Sequence, residues 1–230
     1  MYAKRIQEGF SLESSTVIGE APTESARRQK TRARLLDAAF EIFANNGVHA
    51  SSVEMITEAA GFTRGAFYSN FSTKEELFFA LMERENALRI EQLQVGVAEY
   101  LGPFAEQGVG ISDEVVGTVI AKVLELQSDD RRWCLVQSEF MLLAMRDADV
   151  ARWYLDFQNR FFVELTTIVV DALGSVSRRF VIDPLEAVRI IAELCESAAQ
   201  NAILAGDQRP LSDRVSDSLR AVVLALTERI

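Results

Sequence analysis

The sequence predicts an all-α fold of nine helices. Apolar residues recur three and four positions apart along most of the chain, as one face of a helix requires. No sustained alternation of period two appears, so no strand is expected. The only four prolines are Pro22, Pro103, Pro184 and Pro210, each placed where a helix can begin or a loop can run.

The elements follow in order. Residues 1–23 are polar and weakly patterned and read as a mobile arm. A first helix spans about residues 24–45, with Leu35, Ala38, Ala39, Ile42 and Phe43 on its apolar face and Gly47 as its stop. A second starts at Ser51 with Glu54 three residues on, a capping-box spacing, and turns at Gly61-Phe62. A short third begins at Thr63 and buries Phe67 and Phe71. Thr73 and Glu76 cap a long fourth helix that reaches toward Tyr100, before a loop at Gly102-Pro103 and Gly108-Val109-Gly110. Helices then follow over 113–127, 129–145 and 149–173. Asp183, Pro184 and Glu186 give a complete start signal for the eighth, which runs to Gly206. The ninth covers about 211–228.

The 230 residues are 49% hydrophobic and 25% charged, ordinary globular values that exclude a disordered chain. No apolar run reaches the ~18–20 residues of a membrane span, and the start lacks a signal peptide's apolar core. Cys134 and Cys195 lie inside apolar periodic segments and form no disulfide framework, which suits a cytoplasmic protein. A single histidine, His49, excludes most His-based metal sites and chemistry that needs two imidazoles. With no paired carboxylates placed by a motif, no nucleophile motif and no phosphate loop, no catalytic residue, metal or cofactor is expected.

Net charge is −10, which by itself argues against a general nucleic-acid binder. The distribution is uneven. Residues 24–78 carry seven bases and seven acids, while 79–230 carry 15 bases and 24 acids. Five bases and no acid fall between Arg27 and Arg34.

Helix, tight glycine turn and short helix is the helix-turn-helix arrangement. Ala60 is small where helices cross, Gly61 admits a left-handed backbone, and Phe62, Phe67 and Phe71 are anchors. Thr63, Arg64, Ala66, Ser69 and Asn70 then point outward, with Gly65 baring the backbone. Short polar side chains plus one arginine suit a helix lying in a DNA major groove. Tyr68 is rotated off the face that Phe67 and Phe71 claim, and reads as a phosphate donor. Ser51, Ser52 and Lys74 open helices, whose N-termini seat phosphates. A compact helical hairpin with ordinary caps is the bland alternative.

The run from Gly61 to Leu77, GFTRGAFYSNFSTKEEL, is more specific than any hairpin. Here the sequence resembles the TetR family of bacterial transcriptional regulators, over about residues 27–78. The likeness includes Leu35, Ala38, Phe43, Asn46-Gly47, Ser52-Val53, Ile56, Ala59-Ala60-Gly61, Gly65, Tyr68, Phe71 and Lys74-Glu75-Leu77. Asn70 stands where the family often has histidine. The resemblance implies nine or ten helices, with an N-terminal DNA-binding domain (24–76) and a C-terminal effector-binding and dimerisation domain (77–230). It implies that Thr63, Arg64, Gly65 and Ala66 meet bases, and that Ser52, Tyr68, Lys74 and Asn70 meet phosphates. It makes Arg27, Arg28 and Arg32 an arm on the minor groove or backbone; on the residues alone, that run reads equally well as a solvated helix face.

In the eighth helix Leu185, Val188, Ile191, Cys195, Ala199 and Ala202 belong to an apolar arc too wide for a surface helix. Val215, Leu219, Val222 and Leu226 stripe the ninth. Two such helices per chain read as a four-helix homodimer interface, the alternative being a monomer core. The resemblance favours the dimer. Residues 133–162 hold seven of the 20 aromatics. Most read as core, while Trp133, Phe140, Met141, Trp153, Phe157 and Phe161 are candidates for the wall of a pocket for a small apolar or amphipathic effector. The expected function is a ligand-responsive repressor that binds an inverted-repeat operator as a homodimer. The alternatives are a ligand-independent architectural DNA-binding protein and a helical enzyme.

Overall fold

The computed structural model describes residues 24–106, 112–113, 115–116, 131–207, 209 and 211–230. The expected arm at 1–23 and most of the expected helix over 113–127 lie outside these residues. Eight helices are present among those described: α1 (Glu24–Asn46), α2 (Val53–Ala60), α3 (Arg64–Tyr68), α4 (Lys74–Glu106), α5 (Arg131–Arg146), α6 (Ala148–Ser175), α7 (Pro184–Ala205) and α8 (Leu211–Leu226).

The start signals act largely as read. Asp183 accepts from the Glu186 amide at 3.1 Å with Pro184 in the first turn, and Gly206 ends α7. Thr73 Oγ1 accepts from the Glu76 amide at 3.0 Å, while the Glu76 carboxylate accepts from the Ser72 amide at 2.7 Å. One cap is shifted by a residue: Ser52, not Ser51, caps α2 and accepts from the Met55 amide.

Three expectations are corrected. Gly102-Pro103 is no loop but the last stretch of α4. Pro103 removes one amide donor and its ring crowds the carbonyl of Glu99 one turn back, yet the helix continues to Glu106. The helix expected over 149–173 runs on to Ser175 as α6. Two strands also exist: β1 (Arg178–Phe180) pairs antiparallel with β2 (Thr227–Arg229), Arg179 facing Glu228. Three-residue strands are too short to show an alternating pattern. Arg178, only 4% exposed, joins them by donating to Thr227 Oγ1, and it also pairs with Asp113 at 2.9 Å.

Two buried clusters organise the helices. The larger takes Leu35, Ala39 and Phe43 from α1, Ile56 and Ala60 from α2, and Phe67 from α3, with Phe71. It continues through Leu77, Phe78, Leu81 and Met82 of α4 to Val136 and Phe140 of α5 and Phe157 of α6. Phe78 sits at the junction, with ring centroids 5.5 Å from both Phe43 and Phe140. One core therefore crosses from the N-terminal three helices into the body. The smaller cluster joins Leu101, Val116, Val176, Leu219 and Val223.

Candidate nucleic-acid interface

The α2–turn–α3 unit is built from its caps inward. Gly61 adopts φ 69°, its amide donates to the Glu58 carbonyl, and the Phe62 amide donates to the Thr57 carbonyl. Arg34 of α1 completes this end: Nη2 donates to the Ala60 carbonyl at 2.7 Å and the guanidinium lies over the Phe62 ring. Thr63 caps α3 by accepting from the Ala66 amide. Phe67 and Phe71 point into the core, as their spacing requires.

What remains outward on α3 is Thr63, Arg64, Gly65, Tyr68 and Ser69, with Ala66 half-buried. Tyr68 is 51% exposed although it neighbours the fully buried Phe67. Arg64 Nη1 meets Glu54 Oε1 of α2 at 2.6 Å, and Arg64 Nη2 donates to the Tyr68 hydroxyl at 3.4 Å. The Tyr68 contact and then Glu54 raise the Arg64 pKa. The Glu54 carboxyl is held below its ordinary range, first by its own backbone amide and also by Arg64.

Four residues assigned outward or phosphate-facing roles are engaged inside the unit. Asn70 is buried, its Nδ2 donating to the Ala66 carbonyl at 2.8 Å. Arg32 donates to the Asn70 carbonyl and stacks over Phe71 at 4.2 Å, and burial lowers its pKa. Ser51 is buried and donates to the Gly47 carbonyl at 2.6 Å. Lys74 Nζ donates to the carbonyls of Val48 at 2.7 Å and Ser51 at 2.8 Å. The physical reason is shared. Turn carbonyls leaving α1 and α3 need donors, and these side chains supply them. Arg27 and Arg28 are exposed on the first turns of α1, and Ser52 is half-buried at the start of α2.

Sequence reasoning missed Arg34, the pairing partner Glu54, and Glu139 of α5. Glu139 Oε2 accepts from the Val48 amide at 3.2 Å, and Arg132 of α5 pairs with Glu41 of α1 at 2.6 Å. The α1–α2 turn is thus held between Lys74 on one side and the body on the other. These are contacts between residues far apart in the chain, and nothing local in the sequence signals them.

In the body, a cleft of about 170 Å³ opens between α4 and α6, lined by Glu83, Asn86, Ile90, Phe157, Arg160, Phe161 and Glu164 among others. Arg160 pairs with Glu83 at 2.7 Å. Of the six residues expected to wall a pocket, Phe157 and Phe161 line this cleft. The other four do not. Phe140 is wholly core, and Trp153 is stacked between Phe79 and Phe157. Trp133 lies beneath Arg89, and Met141 is exposed.

The expected interface residues also divide. Val188, Ala202 and Leu219 are buried within the chain itself, and Ile191 and Cys195 pack on the smaller cluster. Burial pushes the Cys195 thiol up to about 11. Leu185, Ala199, Val222 and Leu226 are half-buried, and the side chain of Val215 lies outside the described set. The face of α7 left open is Ile190, Glu193, Ser197, Asn201 and Leu204. No described helix is long and apolar enough to cross a membrane.

Residues 35–81 match the model of the bacterial regulatory proteins of the tetR family. Among curated relatives, the regulator AcrR of Shigella flexneri is 31% identical over 112 residues, 49% of each chain. The regulator UidR of Escherichia coli K12 is 31% identical over 132 residues, which are 52% of this chain and 67% of UidR. The chain thus spans about half the length of the first of these relatives and two thirds of the second. A crystal structure of the transcriptional regulator FadR from Bacillus subtilis, in complex with stearoyl-CoA, superposes with a TM-score of 0.63. It is 20% identical, and the match covers 84% of this chain and 97% of FadR.

Proposed function

Because the chain belongs to the tetR family of bacterial regulatory proteins, we propose that it is a cytoplasmic, ligand-responsive repressor that binds an inverted-repeat operator as a homodimer. It is a binding protein and not an enzyme. Residues 24–76 bind DNA, and residues 77–230 take the effector and the second subunit. The observation that carries this is the outward face of α3: Thr63, Arg64, Gly65, Tyr68 and Ser69 stand exposed on a helix anchored by Phe67 and Phe71.

In this reading α3 enters the major groove, Arg64 and Thr63 meet base edges, and Gly65 and Ala66 let the backbone approach. Tyr68 and Ser52 donate to phosphates, and Arg27 and Arg28 extend the contact along the backbone. Lys74, Arg32, Ser51 and Asn70 position the unit. The dimer forms through the open face of α7, where Ile190 is 45% and Leu204 84% exposed, together with α8. Two copies of α3 then lie about 34–36 Å apart, one helical turn of DNA.

The effector is small and amphipathic and binds in the α4–α6 cleft, where two phenyl rings adjoin Glu83, Arg160 and Glu164. That a protein of this fold holds stearoyl-CoA supports a body able to take a small molecule. Binding favours a conformer in which the two α3 helices no longer match successive grooves. Glu139 on Val48 and Arg132 on Glu41 carry that displacement from α5 to the head. Selection of genomic fragments by the purified protein tests the reading. One recovered inverted repeat supports it, and no enrichment at physiological salt refutes it.

A further inference from the structure

The Glu54–Arg64 pair has no evident role in folding. Both side chains are more than half exposed, and exposed pairs contribute little to stability. The two helices it joins already have their caps in Ser52 and Thr63. For a surface that meets DNA, a carboxylate there is a cost, because it repels phosphate. The exposed charges of α2 and α3 are Glu54, Glu58 and Arg64, so this face is no general phosphate patch.

The geometry shows what such a carboxylate can do. A guanidinium has five N–H donors. Glu54 takes one on Nη1 and the Tyr68 hydroxyl takes one on Nη2. Donors remain for a neutral acceptor pair such as guanine O6 and N7, which Arg64 can meet with the Glu54 contact kept. A phosphate is different. It can take the same donors, but its charge then lies beside the Glu54 carboxylate, and the two anions repel. The same pair therefore tolerates a base edge and penalises a phosphate.

We propose that Glu54 is a specificity-determining residue: its carboxylate holds Arg64 for base edges and suppresses sequence-independent binding through phosphates. Specificity by a built-in repulsion is a general device. The inference rests on the reading that α3 meets DNA, and goes beyond it by assigning a role to a residue of α2 that carries the wrong charge for a DNA contact.

The test compares the full-length protein with Glu54→Gln, Arg64→Ala and the double variant. Each is titrated by fluorescence anisotropy, across a salt series, against the recovered site and against a mixed-sequence duplex of equal length. In Glu54→Gln, affinity for the mixed duplex is expected to rise about tenfold more than affinity for the site. The salt slope on the mixed duplex should steepen by about 0.9, the release of one further counterion. In the Arg64→Ala background the same change should leave the ratio of affinities unaltered. A ratio within twofold of wild type in Glu54→Gln overturns the proposal. So does an equal change in the Arg64→Ala background, which would make Glu54 a general repulsive charge. If the unaltered protein shows no preference for any site, the DNA-binding reading itself fails and the inference falls with it.

Discussion

The head, taken as residues 24–76 with the start of α4 that packs under them (to Met82), and the body beyond it handle apolar side chains differently. Of the large side chains that are fully buried among the described residues, Leu35, Phe43, Ile56, Phe67, Phe71, Leu77, Phe78, Leu81 and Met82 belong to the head. Only Val136, Phe140 and Val176 belong to the body. The exposed large hydrophobics reverse this: Tyr68 stands alone in the head, whereas the body exposes Leu155, Val163, Ile190 and Leu204 among others. A head packed to this degree holds one shape, which a surface of fixed contacts needs. A body with apolar groups to spare suits variable partners. The family model matches 35–81, while the whole-chain likeness to FadR survives at 20% identity.

The largest expected effect tests that contrast directly. Phe67→Ala empties a site with no exposure and should cost about 3–5 kcal/mol in urea unfolding. Leu155→Ala, at 64% exposure, should stay within about 0.5 kcal/mol. Similar losses at both sites would erase the contrast. Next comes the body's open face. Ile190→Asp combined with Leu204→Asp should convert a sedimenting dimer to a monomer with helix content unchanged, since both side chains leave α7 on its exposed side. A dimer that persists would move the interface elsewhere.

Two glycines sharpen the comparison at smaller scale. Gly61 and Gly206 have nearly equal φ, 69° and 67°. A Cβ at Gly61 would come within 3.2 Å of Arg34 Nη2, whereas one at Gly206 meets nothing within 4 Å. Alanine at Gly206 should therefore cost only the backbone term, about 1–2 kcal/mol, and alanine at Gly61 measurably more. Equal thermal shifts would mean that Arg34 yields freely. The smallest effect is acid-dependent. Arg178 holds the Asp113 carboxyl below its ordinary range, with help from Arg229. A depressed folded pKa gives stability that is complete above the unfolded value of about 3.9 and lost as pH falls through the folded one. Unfolding followed from pH 5 downward should show this loss, and Arg178→Ala should flatten it.

Much of the head was legible because its signals are local. The caps at Thr63 and Thr73, the turn at Gly61, and the i, i+4 pair Phe67 and Phe71 with Tyr68 turned out all follow from spacing within one or two turns. The polar residues were less legible. Lys74, Arg32 and Asn70 have surface chemistry but serve turn carbonyls distant in sequence, and polarity does not separate those two uses. In α7 the apolar arc was plain but its phase was not. Val188 and Ala202 are spent within the chain, and Ile190 and Leu204 remain outside. The strands at 178–180 and 227–229 lacked the length to announce themselves.

Hydroxyl-radical footprinting on the recovered site tests most directly whether two copies of the exposed α3 face read DNA one helical turn apart. Two protected patches on one side of the duplex, about 10–10.5 base pairs apart and both lost in Arg64→Ala, are predicted. A single patch, or protection that survives Arg64→Ala unchanged, would contradict it.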